Sequence, residues 1–331
     1  MRREENSGLM KKVKWLISMR EFTLVLMILA MFIVLPLFRP VFATDKNIIA
    51  TLLNVSAKGI VGIGITIVLI SGGIDLSVGS AVAVVLAVFG RIYVTTGNLL
   101  VAMFAAIISA LVVGLINGLL ITKCKLSAFI STLATMGICR GITQVLTKGT
   151  PIKLTQLPEG YRALGTITIL GIPLVVVVFL VLTIVAHFLM KKSKVLRQNV
   201  YIGSNEKAAR FSGVNTAKVM VFTYVVMGVL VWITAQLSAA RFLTASPTYA
   251  AGWETELIAA AVIGGATLTG GEGSIIGTSL GLILLGFVSS AIVLFGVSVY
   301  WQNLISNLIL LLAVLLDAFV ESRKRHVPAK A

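Results

Sequence analysis

Long apolar runs follow one another along almost the whole of this chain, and they constrain its fold more than any other feature. A helix needs about 20 residues to cross roughly 30 Å of hydrocarbon, where every backbone N–H and C=O must be bonded within the protein. The sequence therefore predicts an all-α polytopic membrane protein of about ten transmembrane helices. The runs lie at residues 21–38, 47–70, 76–95, 98–122, 127–147, 168–190, 217–240, 256–269, 274–298 and 301–319.

The composition agrees with a chain whose main solvent is lipid. Apolar residues make up 58% of the 331 residues and charged residues 12%, and the mean hydropathy is +1.02. No Pro/Gly/Ser-rich linker longer than a loop separates the runs, so we expect one transmembrane domain over residues 1–331. A net charge of +16 would suggest nucleic acid in a soluble protein. Here the basic residues cluster beside apolar runs, where they orient helices instead.

The first run, 21–38, has two interpretations, a transmembrane helix or a secretory signal. Its roughly 18 apolar residues exceed the 7 to 15 of a signal sequence, which favours an uncleaved span. We therefore place the basic segment 1–20 in the cytoplasm and alternate sides from there. The residues that then lie inside are Lys123, Lys125, Lys191, Lys192, Lys194, Arg197, Arg323, Lys324 and Arg325.

This alternation agrees with the excess of Lys and Arg on cytoplasmic loops. It predicts that both termini, including the tail 320–331, are cytoplasmic. The two longer connections, 148–167 and 241–255, are then expected outside. Tyr249 and Trp253, in the second of these, are expected to be aromatic anchors at the membrane interface.

The stretch LISGGIDLSVGS, residues 69–80, separates the second and third runs with a glycine pair and a carboxylate. A glycine pair tolerates positive φ and can end a helix. The backbone groups that it frees are tolerated at membrane depth only where protein or a water-filled cavity bonds them. We therefore expect the break to face inward, with Asp75 away from lipid. Two roles stay open for Asp75: with Ser77 it caps the helix that follows, or it lines a cavity or gate.

A second glycine-rich stretch, GGATLTGGEGSIIG at 264–277, shows a similar pattern, because Glu272 follows a glycine pair as Asp75 does. The run before it, 256–269, holds about 14 residues and is too short to span a membrane alone. It predicts a broken or re-entrant helix. We interpret the similarity as local rather than as duplication, because both stretches run the same way through the membrane.

Few polar residues interrupt the apolar runs, and each is costly in lipid. We expect these side chains to face the bundle interior, where they line a path for substrate or bond helix ends, although Lys58 and Arg140 can also reach the interface. Small residues at four-residue spacing, Gly114–Gly118 and Gly277–Gly281, predict close packing of helices. The candidates for a translocation cavity or gate are Asn54, Lys58, Asp75, Ser77, Asn117, Gln144, Gln236 and Glu272.

The sequence lacks the motifs that nucleotide binding, metal binding and nucleophilic catalysis require. It has no G-x-x-x-x-G-K-[ST] phosphate loop and no H-E-x-x-H motif, and its only histidines are His187 and His326. Cys124 and Cys139 have no paired spacing, so we expect packing roles rather than a disulfide or a metal site. The sequence therefore predicts that this chain is not an enzyme and carries no metal or cofactor.

One polar segment stands out on the predicted cytoplasmic side, YIGSNEKAARFSGVNTAK at 201–218. Ser204 or Asn205 can cap a short helix and Gly213 can end it. The pattern predicts about two helical turns with an apolar ridge formed by Ala208, Ala209 and Phe211. Such a helix either docks onto a partner or lies on lipid headgroups, and the pattern alone does not separate the two.

Five stretches together resemble the membrane permease of ribose-type bacterial ABC sugar importers. The resemblance covers nearly the whole chain, and the stretches occur in the family's order with similar spacing. It implies an importer-type permease fold of ten helices in the bacterial inner membrane. The stretches are SGGIDLSVGS (71–80), AFISTLATMGICRGI (128–142), GSNEKAARFSGVN (203–215), ELIAAAVIGGATLTGGEGSIIGT (256–278) and LLAVLLDAF (311–319).

The resemblance also implies partners. These are a cytoplasmic ATPase with two nucleotide-binding cassettes, which would hold ATP and Mg²⁺, a periplasmic sugar-binding protein, and a second permease copy or a related permease. The family's coupling segment to the ATPase falls within residues 201–215. The residues carried over or expected to contribute there are Gly203, Asn205, Glu206, Ala208, Ala209, Arg210, Ser212 and Gly213.

The expected substrate is a neutral monosaccharide, with ribose as the best choice. Galactofuranose, xylose, an inositol or a furanosyl signalling molecule stay open. Two alternatives from other classes also stay open. One is a proton- or ion-coupled secondary transporter with Asp75 or Glu272 as the coupling carboxylate, and the other is a membrane scaffold that transports nothing.

Overall fold

The computed structural model describes residues 20–298 and, beyond them, Trp301, Leu304, Ile305, Leu308, Leu311 and Leu315. The predicted segment before Arg20, most of the tenth apolar run and the tail 320–331 lie outside the described residues. The α-helices of the described part are α1 Arg20–Phe38, α2 Asp45–Ile70, α3 Val78–Thr96, α4 Leu99–Thr122, α5 Ala128–Thr147, α6 Glu159–Ala163, α7 Leu174–Lys192, α8 Lys194–Ser204, α9 Glu206–Phe211, α10 Thr216–Phe242, α11 Trp253–Ile263 and α12 Ile275–Leu294. The strands are β1 Ile152–Lys153, β2 Thr168–Ile169, β3 Ile172–Pro173 and β4 Thr244–Ala245, and a 3-10 helix covers Pro40–Ala43.

Eight of the described helices are long and apolar enough to cross a membrane, namely α1, α2, α3, α4, α5, α7, α10 and α12. They correspond to eight of the ten predicted runs, and the all-α polytopic class is confirmed. The eighth run, 256–269, forms only the 11-residue helix α11 before a glycine-rich loop. That length rises about 16 Å, so the prediction of a broken helix is also confirmed.

The boundaries of these helices follow from local chemistry. Side chains at the N-caps of α4, α5, α9 and α12 each accept a hydrogen bond from a backbone N–H of the first turn, which would otherwise have no partner. The capping residues are Asn98, Ser127, Asn205 and Ser274. At the other end of α3, Gly97 has a φ of +65° and turns the chain directly into α4.

The sixth run begins later as a helix than the sequence predicts. Residues 168–173 form a β-hairpin, in which Ile169 pairs with Ile172 across Leu170 and Gly171. Both turn residues have positive φ, +52° and +81°, as two-residue hairpin turns of this kind require. Helix α7 therefore starts only at Leu174. The apolar side chains of the hairpin resemble the start of a span in sequence but belong to a surface turn.

Helices α2 and α3 form the centre of the bundle. The second half of α2 is buried almost without interruption, and it packs against α7, α10, α11 and α12. Close packing depends on the small residues predicted from sequence: Gly114 lies against the Tyr224 backbone of α10, and Gly281 lies against Ala260 of α11. By contrast, α1 is exposed along most of its length.

The two longer connections meet at one end of the bundle. Strand β1, from the 148–167 connection, pairs antiparallel with β4, from the 241–255 connection, with Ile152 opposite Ala245. Leu154 N–H extends the contact by donating to the Leu243 carbonyl oxygen at 2.8 Å. Both connections therefore lie on the same side, which we name the β1–β4 end. Helices α8 and α9, between α7 and α10, lie at the opposite end.

Candidate functional site

An open groove of about 860 Å³ lies between the first half of α2, the last turn of α10, the segment before and within α11, and the second half of α12. We name it the α2–α12 groove. Two of the predicted cavity residues, Asn54 and Lys58, line it. The other polar and aromatic residues at its walls are Asn47, Thr51, Arg241, Phe242, Tyr249, Trp253, Thr255, Glu256, Ser289 and Ser290.

Lys58 forms an ion pair across the groove wall. Its Nζ lies 2.5 Å from Oε2 of Glu256 on α11, and both side chains are about three-quarters buried. The same Nζ lies 6.0 Å from the ring centroid of Trp253, at the range of a cation–π contact. Lys58 therefore has a partner, and the two charges neutralise each other within the wall.

A second basic residue of the groove, Arg241, ties the end of α10 to α2. Its guanidinium donates to the Leu53 carbonyl oxygen at 2.9 Å and to Oδ1 of Asn54 at 3.1 Å. It also lies 4.8 Å from the ring centroid of Phe242. The predicted cavity residue Asn54 thus faces the groove as an acceptor for Arg241, and its amide N–H₂ remains available to the groove.

Tyr249 and Trp253 form an aromatic wall of the groove, and their role as anchors at the membrane interface stays a prediction. Their rings meet edge to face with centroids 5.3 Å apart. The Tyr249 hydroxyl is bonded to Oγ of Ser238 at 2.7 Å, which holds the ring against α10. Arg140 fixes the backbone turn that carries Tyr249, because its Nη1 donates to the Pro247 and Tyr249 carbonyl oxygens.

Asp75, Ser77 and Asn117 come together at a second place, away from the groove. Asp75 is 3% exposed, so the prediction that it lies within protein is confirmed. Its Oδ1 accepts from the Ser77 N–H at 2.8 Å and from the Ser77 hydroxyl at 2.6 Å. Ser77 Oγ in turn accepts from Nδ2 of Asn117 on α4 at 2.9 Å. Here the cap differs from the prediction, because the Ser77 side chain makes no capping bond to α3 and Asp75 is the acceptor instead.

The backbone groups freed by the break at residues 71–77 are bonded by neighbouring helices. Thr132 of α5 accepts from the Leu76 N–H at 3.1 Å. Tyr224 of α10 donates its hydroxyl proton to the Ile74 carbonyl oxygen at 2.9 Å. The expectation that protein groups bond this break is therefore confirmed.

The remaining cavity candidates lie elsewhere. Gln236 is buried in α10, and its Oε1 accepts from the Tyr161 hydroxyl at 2.7 Å. Burial raises the pKa of Tyr161, so this phenol keeps its proton as a donor. Gln144 is exposed, so the prediction that it faces the bundle interior is wrong. Glu272 is exposed as well, and its role in a cavity or gate stays a prediction. Gln144 lies in the last turn of α5 and Glu272 in the loop after α11, and neither position is at the centre of a span, where the cost of exposure is greatest.

The polar segment at the opposite end forms helix α9, as predicted. Asn205 caps it by accepting from the Ala208 N–H at 3.0 Å, and Gly213 turns the chain away with a φ of +84°. The predicted apolar ridge is wrong, because its residues point to different sides. Ala209 is 5% exposed and packs with Ile202 and Val219, whereas Ala208 is exposed and Phe211 is 93% exposed.

Further contacts stabilise α9 itself and join it to the start of α10. Glu206 and Arg210 form an ion pair at 2.7 Å, one turn apart, and the Thr216 hydroxyl donates to Oε1 of Glu206 at 3.1 Å. Ser212 closes the helix with its N–H on the Ala208 carbonyl oxygen at 3.0 Å. The exposed side of α9 is thus presented on a helix that is fixed at both ends.

Comparison with known proteins agrees with this geometry. The family model described as "Branched-chain amino acid transport system / permease component" matches residues 47–314. The ribose import permease protein RbsC of Escherichia coli strain K12 is 34% identical over 305 residues, which is 92% of this chain and 94% of that protein. RbsC of Bacillus subtilis strain 168 is 35% identical over 86% of this chain and 88% of its own length.

The L-arabinose transport system permease protein AraH of Escherichia coli strain K12 is 32% identical over 307 residues, 93% of each chain. No solved structure matches the chain. The family match covers most of the sequence, including both glycine-rich stretches, the segment of α8 and α9 and every element of the groove. The chain therefore belongs to the family of transport-system permease components.

Proposed function

We propose that this chain is the membrane permease subunit of an ABC importer for a neutral monosaccharide, with ribose as the first choice. The observation that carries the proposal is the lining of the α2–α12 groove. Its ammonium and carboxylate groups, Lys58 and Glu256, are bonded to each other. What remains for a substrate is an aromatic wall with amide and hydroxyl groups, and the Arg241 guanidinium, which is bonded to neutral oxygens of Leu53 and Asn54. This set suits a polyol, which has apolar C–H faces and many hydroxyl groups.

An amino acid, the substrate class in the family's description, is favoured less by the groove. A zwitterion needs one unpaired cation and one unpaired anion at fixed spacing, and a buried charge without its counter-ion is costly. Arg241 could serve as the cation, but Glu256, the carboxylate that lines the groove, is already neutralised by Lys58. The names of the relatives point the same way, because RbsC is a ribose permease and AraH an arabinose permease.

The proposal includes a membrane orientation and partners. The β1–β4 end faces the periplasm and receives sugar from a binding protein, and the end with α8 and α9 faces the cytoplasm and meets an ATPase with two cassettes that hold ATP and Mg²⁺. A second copy of the chain completes the permease in the bacterial inner membrane, with both termini cytoplasmic. The exposed basic residues Lys123, Lys125, Lys191, Lys192 and Lys194 near the α8–α9 end support this orientation.

The test is reconstitution of the permease with its ATPase in liposomes, with the sugar-binding protein added outside. We expect ATP inside the liposomes to drive accumulation of labelled ribose, and labelled leucine to stay outside. A mixture without the ATPase is the control. Leucine uptake in place of sugar uptake would contradict the substrate class. Uptake that survives loss of the ATPase but stops with a protonophore would replace the proposal with a secondary transporter.

A further inference from the structure

Three glycine-containing segments that are far apart in sequence meet at one point of the structure. They are the turn after α2 with Gly72, the end of α8 with Gly203, and the loop after α11 with Gly270 and Gly271. The Gly271 N–H donates to the Ile70 carbonyl oxygen at 2.8 Å. We name this contact of residues 70–72, 203 and 270–271 the glycine junction.

The junction is a contact between backbones. A Cβ atom added at Gly270 would lie 2.7 Å from the Gly72 Cα and 3.0 Å from the Gly203 Cα. A Cβ atom added at Gly203 would overlap the Ile70 carbonyl oxygen. Side chains can change rotamer and absorb a displacement, but backbone atoms in contact cannot, so a shift of one segment must move the others.

The elements that meet here connect the two sites described above. Gly203 belongs to α8, which continues through Asn205 into the exposed helix α9. Ile70 ends α2, and Lys58 of the groove lies twelve residues earlier on that helix, about 18 Å along its axis. The loop with Gly270 links α11, which carries Glu256, to α12, which carries Ser290.

We infer that Gly203 and Gly270 are positioning residues for transport. The glycine junction is a rigid joint through which a movement of α8 and α9 reaches α2 and the α11–α12 pair, and so changes the width of the α2–α12 groove at its Lys58–Glu256 wall. This inference rests on the proposed function, because the movement comes from the ATPase that docks at α9. The joint explains why the two glycine pairs of the sequence resemble each other: each allows a bent backbone to approach α8.

The test replaces Gly203 with alanine. Gly203 lies in a helix without positive φ, so the added methyl group brings no backbone strain and acts only at the junction, against the Ile70 carbonyl oxygen and the Gly271 nitrogen. Gly160→Ala, in the short helix α6, is the matched control because nothing lies within 4 Å of its Cβ position. Both variants are reconstituted with ATPase and binding protein, and ribose uptake and ATP hydrolysis are measured together.

For Gly203→Ala we expect ATP hydrolysis to continue while the ribose transported per ATP falls roughly tenfold, the scale of a coupling change of this kind. The KM for sugar-loaded binding protein should stay unchanged. Gly160→Ala should match the wild type. Transport per ATP within about twofold of the wild type, at normal membrane abundance, would overturn the inference.

A measurement on the unaltered chain covers the case in which Gly203→Ala does not insert. Hydrogen–deuterium exchange of the wild-type complex is followed with and without a non-hydrolysable ATP analogue. We expect peptides covering residues 268–274 to stay equally protected in both states, because a rigid joint keeps the Gly271–Ile70 bond. Faster exchange of these peptides with nucleotide would overturn the inference. A wild-type complex that imports no sugar would instead refute the proposed function. The two failures are distinguishable, because hydrogen–deuterium exchange at the glycine junction is measured without any substrate.

Discussion

At the scale of single residues, the Lys58–Glu256 pair is the groove contact with the clearest energetic consequence. Both side chains are largely buried, so removing one partner leaves a charge without its counter-ion in a poorly solvated wall. Removing both leaves a neutral wall of similar shape. The free-energy cost of replacing both residues is therefore smaller than the sum of the costs of the two single replacements.

We predict that Glu256→Gln destabilises the permease by about 1.5–3 kcal/mol, the value of a hydrogen bond to a charged group. The double variant Lys58→Met with Glu256→Gln should recover most of that loss. Thermal unfolding in detergent measures both, with the exposed Glu159→Gln as control. A double variant that is less stable than Glu256→Gln alone would contradict the pairing.

Asp75 gives a second prediction, because its two bonds use the same oxygen. Asn at this position retains Oδ1 as acceptor for Ser77 N–H and Oγ–H, while Ala removes it and leaves these buried donors unpaired. We expect Asp75→Ala to cost about 1–3 kcal/mol and to lower membrane abundance, and Asp75→Asn to retain abundance. Immunoblotting and ribose uptake are measured together. Normal abundance of Asp75→Asn with lost uptake would assign the charge itself to transport.

These residues also show why the site could be predicted only in part. Lys58 and Asn54 were found because a polar residue inside an apolar run is costly and therefore has a reason to be there. Glu256 was missed because it stands at the very start of its run, where an acid resembles a normal first-turn residue of a helix. Its partner lies 198 residues away, and sequence spacing carries no information about that contact.

At the scale of elements, α9 shows which features of a helix depend on nearby residues and which depend on tertiary packing. Its cap and its end were predicted, because Asn205 and Gly213 act on backbone groups within a few residues. The side that faces the protein was not, because Ala208 and Ala209 are equally small and lie about 100° apart around a helix. Only the packing of Ile202 and Val219 decides that Ala209 is the buried one.

We predict opposite outcomes for glutamate at these neighbouring positions. Ala208→Glu places a charge on the exposed side, so it should insert at normal levels but lose the ATPase on copurification and lose uptake. Ala209→Glu places the charge in a buried contact and should lower the amount of folded permease itself. Size-exclusion chromatography of each variant with its ATPase distinguishes them. Normal copurification and uptake by Ala208→Glu would show that α9 is only a surface helix.

The spans were the most predictable elements, because length and hydropathy act on each helix by itself. The β2–β3 hairpin was missed for the same reason. Its sequence TILGIP is apolar enough to extend the following span, and only the positive φ of Leu170 and Gly171 reveals a turn. Hydropathy reports which solvent a segment prefers and not which backbone conformation it adopts.

At the scale of the whole molecule, the β1–β4 pairing allows the membrane topology to be tested by cysteine labelling at a few positions. The pairing fixes the 148–167 and 241–255 connections on one side, whatever the orientation of the bundle. Glu159 and Thr248 are exposed in these connections, and the native Cys124 is exposed near the opposite end.

We predict that cysteines introduced at Glu159 and Thr248, in a Cys124→Ser background, react with a membrane-impermeant maleimide added outside intact cells. In the unaltered chain, the native Cys124 should react only after the cells are opened. Mass spectrometry of the labelled chain measures both. Labelling of position 159 outside but of position 248 only after opening would contradict the strand pairing, and reversal of all three would invert the proposed orientation.

The distance in sequence between β1 and β4 has a consequence for biosynthesis. Ile152 leaves the ribosome 93 residues before its partner Ala245, a delay of about 5–20 s at ordinary rates of translation. During that interval the 148–157 segment has no strand to pair with, and the bundle stays open at this end until α10 has been inserted. A chain whose synthesis stops anywhere between the two strands therefore leaves the edge of β1 without its partner.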